Sequence, residues 1–358
     1  MSVIPTITPQ KSAMFAGLCK QARKICIVTH FHPDGDALGS ATALESWLKS
    51  RGCADVSICL PSPMTETLSF LAPEGITDAV DSPLQAKALV EGADLIVCLD
   101  ISGFNRTESL ADTLSSSKAV KVLIDHHLNP AAADFSLVFS ETAVSSACEL
   151  LFWLMLSVQG TEEDARSLPP RCARSLMAGM TTDTNNFANS VFPSTLRMAS
   201  MLLEAGVDRD DIIDRIFRTH RENRLRALGF LLDKEMRITE DGVAYMIIDK
   251  ETADRFCLKE GETEGFVNEP LTIGRVKMSI LLKEDGGHFR VSIRSKRGVS
   301  ANLLAREHFH GGGHEQASGG KLFWPADIAA PEKAKEYIED VTARFMRKSV
   351  PPQNNGND

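Results

Sequence analysis

Acidic and histidine side chains recur in this chain at spacings that suit metal-ion chemistry. The set contains two imidazoles and four carboxylates: His30, Asp34, Asp36, Asp100, His126 and Asp183. Crowded carboxylates repel one another unless they are protonated or neutralised by cations. Two divalent cations with mixed nitrogen and oxygen ligands would remove that repulsion, and manganese, iron, cobalt or zinc suits such ligands better than calcium. A metal pair would also lower the pKa of a bridging water and so supply a nucleophile for hydrolysis.

Short apolar runs precede most of these residues and predict the strands that position them. Three such runs end at His30, at Asp100 and at the triplet Asp125-His126-His127. In an open α/β sheet, ligands bind outside the carboxyl ends of the strands. We therefore expect three strand ends to direct carboxylates and imidazoles into one crevice, while Asp183 follows a predicted helix over 173–180.

The strand and helix patterns predict an α/β fold in two domains. Alternation through Phe139 predicts a mostly parallel sheet flanked by helices, with right-handed crossovers. The chain then becomes helical, and a strand pattern restarts at Val243, with a hairpin signal at 284–287. A length of 358 residues also favours two domains. We predict a catalytic domain over 12–206, a helical linker over 207–235, a smaller α/β domain with a mixed sheet over 236–347, a disordered tail over 348–358 and a cleft between the domains.

Composition and charge argue against several classes of protein. The net charge of −9 argues against a large surface for duplex nucleic acid, although metal ions and a few arginines can still attract small phosphorylated substrates. No stretch approaches the roughly 20 apolar residues of a membrane span, and the first ten residues do not form a secretory signal. The eight cysteines include no C-x-x-C pair, so we expect buried, reduced thiols in a cytoplasmic protein.

The second half of the chain carries residues that suit anion binding. Gly311-Gly312-Gly313 would let backbone N–H groups approach a phosphate, and His314 could donate to it. The alternative for this run is a turn at a sheet edge. Arg294 ends a predicted strand, and its planar guanidinium suits bidentate phosphate recognition. Asn302 could reach a base or a phosphate, and Arg106, after another strand end, could meet phosphate.

Together these motifs resemble the DHH phosphoesterase superfamily, which is named for the triplet seen here as Asp125-His126-His127. The first family motif is similar to residues 30–40 of this chain, the second to Leu99-Asp100 and the fourth to Thr182-Asp183-Thr184. The stretch 311–320 resembles the glycine-rich motif of the first type of DHH-associated domain. The resemblance therefore extends over nearly the whole chain, and it identifies the second domain as the substrate-binding one.

The resemblance implies a role for each site residue. The implied ligands are His30, Asp34 and Asp100 for one metal ion and Asp36, Asp100, His126 and Asp183 for the other. Asp100 would bridge the two ions, His127 would face the substrate phosphate, and Asp125 would orient the site from behind the ligands. These three residues are the expected catalytic groups, and two manganese ions are the expected cofactor.

The resemblance also implies an activity. It points to a 3′–5′ oligoribonuclease, phosphodiesterase or phosphatase that works by two-metal activation of a bridging hydroxide. The implied substrates are oligoribonucleotides of a few residues, pApA or a cyclic dinucleotide, and 3′-phosphoadenosine 5′-phosphate (pAp), which the sequence does not rank. Homodimers are common among similar proteins. Two alternatives stay open: an inorganic pyrophosphatase or exopolyphosphatase, and a non-catalytic nucleotide sensor.

Overall fold

The computed structural model describes residues 5, 7–161 and 164–349, and it divides into two compact units between Thr219 and His220. This division falls inside the predicted linker 207–235. Of the predicted tail 348–358, residues 350–358 lie outside the described part, and residues 348 and 349 belong to the last helix. Among the helices that are described, none is both long and apolar enough to cross a bilayer.

Unit 1 alternates strands and helices, as the sequence predicts. Its strands are β1 (Lys24–Val28), β2 (Asp55–Leu60), β3 (Thr77–Asp78), β4 (Leu95–Leu99), β5 (Val120–Asp125) and β6 (Leu137–Ser140). Its helices are α1 (Pro9–Gln21), α2 (Gly35–Ser50), α3 (Pro83–Glu91), α4 (Ala111–Ser116), α5 (Ala147–Gln159), α6 (Pro170–Asp183), α7 (Pro193–Glu204) and α8 (Arg209–Phe217). Short 3₁₀ segments occupy Glu66–Leu68, Phe104–Leu110 and Ala132–Asp134.

The sheet of unit 1 is parallel throughout and has the order β3-β2-β1-β4-β5-β6. The strand order reverses between β1 and β4, which is the place where open α/β sheets bind ligands. The register aligns Val28 with Cys98, and Cys98 with Leu123. His30, Asp100 and Asp125 each lie two residues after these aligned positions of β1, β4 and β5. The sheet therefore brings the predicted strand ends to one edge at one level.

Helix α2 packs closely against α5 and α6, and most of its residues are buried. Gly179 of α6 shows how close the helices come. A Cβ at this position would lie 2.3 Å from Cys148 Sγ of α5 and 3.1 Å from Asp36 Oδ1 of α2. Because real Cβ atoms do not approach other atoms so closely, only glycine allows the three helices to converge beside Asp36.

Unit 2 contains the predicted mixed sheet. Its strands are β7 (Arg237–Ile238), β8 (Val243–Ile248), β9 (Met278–Asp285), β10 (His288–Ser295), β11 (Gly312–Gly313) and β12 (Ala317–Phe323), in the order β11-β12-β10-β9-β8-β7. Only the β8–β9 pair is parallel among these described strands. Its helices are α9 (Glu222–Phe230), α10 (Lys250–Arg255), α11 (Ala301–His308) and α12 (Ala334–Ser349), with short helical segments at Leu231–Glu235, Phe266–Thr272 and Pro331–Lys333.

The cysteines are free thiols, and six of the eight are buried. Cys53 is half-buried and Cys257 is exposed. The expectation of buried, reduced thiols therefore describes most of them but not Cys257.

Candidate metal centre

The loop after β1 delivers three of the predicted ligands. Asp34 is the N-cap of α2, because its Oδ1 accepts the N–H groups of Asp36 and Ala37 at 3.0 Å each. The buried His30 donates from Nδ1 to the carbonyl oxygen of Phe31 at 2.9 Å, since a carbonyl can only accept. This bond fixes the ring so that Nε2 lies 3.7 Å from Asp34 Oδ1. The loop thus presents an imidazole nitrogen and carboxylates together.

Asp100 lies between two histidines at the end of β4. Its Oδ2 is 3.5 Å from His30 Nε2, and its Oδ1 is 3.4 Å from His126 Nε2. The residue has a φ of 56°, a left-handed conformation that is uncommon outside glycine and often marks functional sites. Its Oδ1 is buried and accepts no hydrogen bond within the described chain. A cation at this position would satisfy that oxygen.

His126 brings the remaining carboxylates together. Its Nε2 lies 3.6 Å from Asp36 Oδ2 and 3.4 Å from Asp183 Oδ2. Asp183 ends α6 and Asp36 begins α2, so the close packing of these two helices places both acids against the histidine. All six side chains predicted to bind metal are therefore linked by nitrogen–oxygen separations of 3.4–3.7 Å.

This arrangement fits divalent cations. Candidate ligand atoms lie within 4.8 Å of one another in the group His30, Asp34 and Asp100, and again in the group Asp36, Asp100 and His126. Ligands at roughly 2.1 Å from one ion lie about 3 to 4 Å apart, as these atoms do. Asp100 belongs to both groups. Mixed imidazole and carboxylate donors around a buried oxygen without a hydrogen-bond partner suit divalent cations.

Asp125 and His127 form a separate pair beside this cluster. The Nδ1 atom of His127 lies 2.7 Å from Asp125 Oδ1, and Asp125 is completely buried. His127 Nδ1 is also 3.5 Å from Asp100 Oδ1. Asp125 therefore orients the ring of His127, which is the role of the carboxylate in many histidine–carboxylate pairs.

Burial and mutual repulsion shift the protonation of the cluster when no cation is bound. Burial raises the pKa of Asp36 to about 7, and the neighbouring charge of Asp100 adds to this shift. Burial also raises the pKa of Asp183 well above its usual range, against the opposing effect of His126. Burial alone would lower the pKa of His126, but Asp183 and Asp100 outweigh it and raise the pKa to about 10. These shifts favour the protonated forms of Asp36, Asp183 and His126 when no cation is bound.

Metal affinity is expected to increase with pH. Because Asp36 and His126 must lose their protons to bind a cation, binding should release protons and should strengthen from about pH 7 towards about pH 10. Calorimetric titration of the metal-free protein with Mn²⁺, in buffers of different ionisation enthalpy, measures both effects. An affinity that does not change over this range, with no proton released, would contradict the prediction.

Two backbone groups in the site escaped the sequence analysis. Asp36 Oδ2 accepts the N–H of Ala147 at 2.7 Å, and Oδ1 accepts the N–H of Cys148 at 2.9 Å. These are the first amides of α5, which have no partner inside the helix. The signal in the sequence was Ser145-Ser146, a typical N-cap before an apolar helix, which predicts the helix start but not what its amides bind.

The glycine run of unit 2 forms an edge strand. Gly312 and Gly313 pair with Gly319 and Ser318 of β12. A Cβ at Gly311 would lie 1.9 Å from the carbonyl oxygen of Gly319, so close packing of the backbone requires glycine there. The alternative of a turn at a sheet edge therefore describes this segment in part.

The other substrate-binding candidates have contacts of their own. The N–H groups of Gly311 and His314 donate to the carbonyl oxygens of Ala305 and Ala317, so these two amides are already used. Asn302 donates from Nδ2 to Gly313 O at 2.5 Å, and Arg294 donates from Nη1 to Ile293 O at 3.0 Å. In unit 1, the exposed Arg106 accepts the N–H of Phe31 with its carbonyl oxygen, beside the loop of His30.

Family models match both halves of the chain. A model described as the DHH family, N-terminal domain, matches residues 24–180, and a DHHA1 domain model matches residues 241–345. The first match contains every predicted ligand position except Asp183, which is predicted from the fourth motif and lies 3.4 Å from His126 Nε2.

Similar proteins match the chain over most of its length. The bifunctional oligoribonuclease and PAP phosphatase NrnA of Bacillus subtilis is 29% identical over 303 residues, which is 84% of this chain and 89% of the relative. The protein of the same name from Thermus thermophilus is 30% identical over 324 residues, covering 89% and 90% of the two chains. A crystal structure of an exopolyphosphatase-related protein from Bacteroides fragilis superposes with a TM-score of 0.85 at 32% identity, over 96% and 98% of the two chains.

Proposed function

The chain belongs to the DHH family and is a phosphoesterase, and we propose that it hydrolyses phosphate esters of short nucleotides. The proposed substrates are oligoribonucleotides of a few residues, linear or cyclic dinucleotides, and pAp. The observation that carries this proposal is the gathering of six acidic and imidazole side chains at the edge of the parallel sheet. The activity given in the names of the two NrnA relatives supports the substrate class.

We propose that two manganese ions bind in this cluster. The proposed ligands are His30, Asp34 and Asp100 for one ion and Asp36, Asp100, His126 and Asp183 for the other. When bound, two such ions lower the pKa of a water and stabilise negative charge on the phosphoryl oxygens. Manganese is proposed because its preference for oxygen ligands, together with tolerance of imidazole, matches a set of four carboxylates and two histidines.

The protein's own groups would orient the substrate. The Nδ1–H of His127 donates to the Asp125 carboxylate at 2.7 Å, which fixes the ring; in its doubly protonated form the ring would then also donate from Nε2 to a phosphoryl oxygen. Such a donor, already in place before the reaction, stabilises charge that develops in the transition state. Asp36 is held by the amides of α5, which leaves its remaining lone pairs for a cation.

Unit 2 would bind phosphate and nucleoside groups with its side chains. We propose Arg294 and the imidazole of His314 as the contacts. Gly311, Gly312 and Gly313 would let the backbone approach the substrate, although the amide of Gly311 already donates to Ala305 O. Asn302 would act through Gly313, whose carbonyl it holds at 2.5 Å. Arg106 of unit 1 is exposed and is proposed as a further phosphate contact.

The homodimer and cytoplasmic location expected from the sequence stay predictions.

Arg294→Ala should weaken substrate binding much more than the chemical step. Loss of a charge-assisted, bidentate contact to phosphate costs about 1.5 to 3 kcal/mol, so we expect KM to rise on the order of 10- to 100-fold while kcat changes little. Steady-state kinetics with pApA measures both constants. Arg297→Ala, three residues further along on the surface, is the control. An unchanged KM, or a large loss confined to kcat, would contradict this role.

One alternative activity has specific support. The solved structure with a TM-score of 0.85 is named an exopolyphosphatase-related protein, so polyphosphate or pyrophosphate could be the substrate instead. The test compares turnover of five substrates in the presence of Mn²⁺: pApA, a short oligoribonucleotide, pAp, pyrophosphate and polyphosphate. We expect turnover of the nucleotides only. Turnover of pyrophosphate or polyphosphate alone would replace the proposal, and binding of nucleotides without turnover would indicate a sensor.

A further inference from the structure

The first turn of α5 has an unusual distribution of its amide groups. Ser146 is the N-cap, and its Oγ accepts the N–H of Glu149 at 3.0 Å. The two amides before it, of Ala147 and Cys148, both donate to the carboxylate of Asp36. The first amides of α5, which have no partner inside the helix, therefore donate to two different groups: the N-cap Ser146 and the proposed metal ligand Asp36 of α2. The orientation of the Asp36 carboxylate therefore depends on the position of this turn.

Glu149 anchors this turn from inside the protein. Its Oε2 accepts three hydrogen bonds, from Ser145 N at 2.8 Å, Ser145 Oγ at 2.6 Å and Thr195 Oγ1 at 2.6 Å. Thr195 Oγ1 in turn accepts the N–H of Phe192 at 3.0 Å, at the start of α7. One carboxylate oxygen thus joins the residue before the N-cap of α5 to the first turn of α7.

The burial of this network shows that it is not a surface cap. Glu149 and Thr195 have no exposed surface, and Ser145 is 1% exposed. In a common capping box, a glutamate at this helix position bonds the amide of the N-cap residue itself. Glu149 instead bonds the amide of Ser145, one residue earlier. The three hydrogen bonds all go to Oε2, and Oε1 is buried with no partner among the described residues. A buried carboxylate is costly unless its hydrogen bonds are well satisfied, so a packed apolar side chain would fill the space at lower cost.

We propose that Glu149 is a positioning residue for Asp36. Through Ser145 and Thr195 it fixes the first turn of α5, and the amides of that turn hold the Asp36 carboxylate towards His126 and the cation proposed there. Glu149 touches neither the cation nor the substrate in this account. The inference rests on the proposed metal site and adds a residue to which no role has been given.

The test is Mn²⁺ binding by the metal-free, full-length protein, followed by calorimetry, with thermal unfolding and steady-state kinetics beside it. The variants are Glu149→Ala, Glu149→Gln and Thr195→Val. Supporting groups of metal ligands typically contribute 10- to 100-fold in affinity, so we expect Glu149→Ala to weaken one of two Mn²⁺ sites by about 10-fold or more. The Mn²⁺ affinity of Glu149→Gln should lie between those of Glu149→Ala and the wild type. Raised Mn²⁺ should restore kcat, and KM for pApA should stay unchanged.

Two controls on the same helix separate positioning from stability. Ser157→Ala removes a hydroxyl at the other end of α5, where it bonds Ser12 Oγ at 3.2 Å. Leu154→Ala removes a completely buried apolar side chain and should lower Tm clearly. We expect both controls to bind Mn²⁺ with wild-type affinity. If Glu149→Ala does not fold, Thr195→Val, which removes the two hydrogen bonds of the Thr195 hydroxyl, decides the question.

The outcomes are distinct. Normal affinity for both ions in Glu149→Ala and Thr195→Val, or equal weakening in Leu154→Ala, would overturn the positioning role. A wild-type protein that binds no Mn²⁺ would overturn the proposed metal site itself, which is a separate result from the first.

Discussion

Asp100→Asn is expected to abolish turnover of every nucleotide substrate. The carboxylate contacts His30 on one side and His126 on the other, so it is shared by both proposed ligand groups. Asparagine keeps the shape but removes the charge and one of the two acceptor oxygens. Metal ions contribute several kcal/mol to such reactions, so we expect kcat to fall by at least about 10³-fold. Steady-state rates with pApA and Mn²⁺ measure the loss.

Asp94→Asn is the matched control for this variant. Asp94 precedes β4 as Asp100 follows it, and its Oδ2 accepts the N–H groups of Arg23 and Lys24 at 2.9 and 3.0 Å. The same chemical change at the opposite end of the strand should leave turnover near the wild-type value. Near-normal rates in Asp100→Asn, or an equal loss in both variants, would show that the ligand assignment is wrong.

His127→Asn should remove much of the catalysis while both metal ions still bind. In the proposed mechanism the histidine donates to a phosphoryl oxygen, and loss of one such donor costs on the order of 10²- to 10³-fold in kcat. The side chain lies outside the two proposed ligand groups, so the number of bound Mn²⁺ ions should stay at two. Kinetics and calorimetry on the same preparation give both values.

The partner of His127 provides a check on this prediction. Asp125→Asn should lower kcat by a smaller factor, because the ring would lose its orienting carboxylate but remain in place. If the two residues act as a unit, the double variant should be no slower than His127→Asn alone. Loss of one Mn²⁺ ion in His127→Asn would mean that this histidine is a ligand, and an unchanged kcat would exclude it from catalysis.

The strands that position the site could be predicted because their ends are marked in the sequence. The apolar runs before His30 and Asp100 stop where polar residues begin. The observed β1 ends two residues before His30, and β4 ends one residue before Asp100. The parallel direction of the sheet also follows from the alternating pattern. The strand order could not be predicted, because crossovers to either side of β1 leave the same local pattern.

The contacts that hold the ligands could not be predicted, because they join distant parts of the chain. The amides of Ala147 and Cys148 reach Asp36 across 111 and 112 residues. The glycine run of unit 2 gave an incomplete prediction for a similar reason. The conformational freedom of its glycines suggested an anion-binding loop. In the structure the run is part of a sheet edge, because β11 pairs with β12 and brings Gly319 close to Gly311.

The most direct test of the metal centre is the anomalous scattering of manganese in crystals of the protein grown with Mn²⁺. We expect two peaks in unit 1, one beside His30 and Asp34 and the other beside Asp36, His126 and Asp183, with Asp100 bound to both. A single peak, or peaks that do not involve Asp100, would contradict the central claim that these side chains hold a pair of cations.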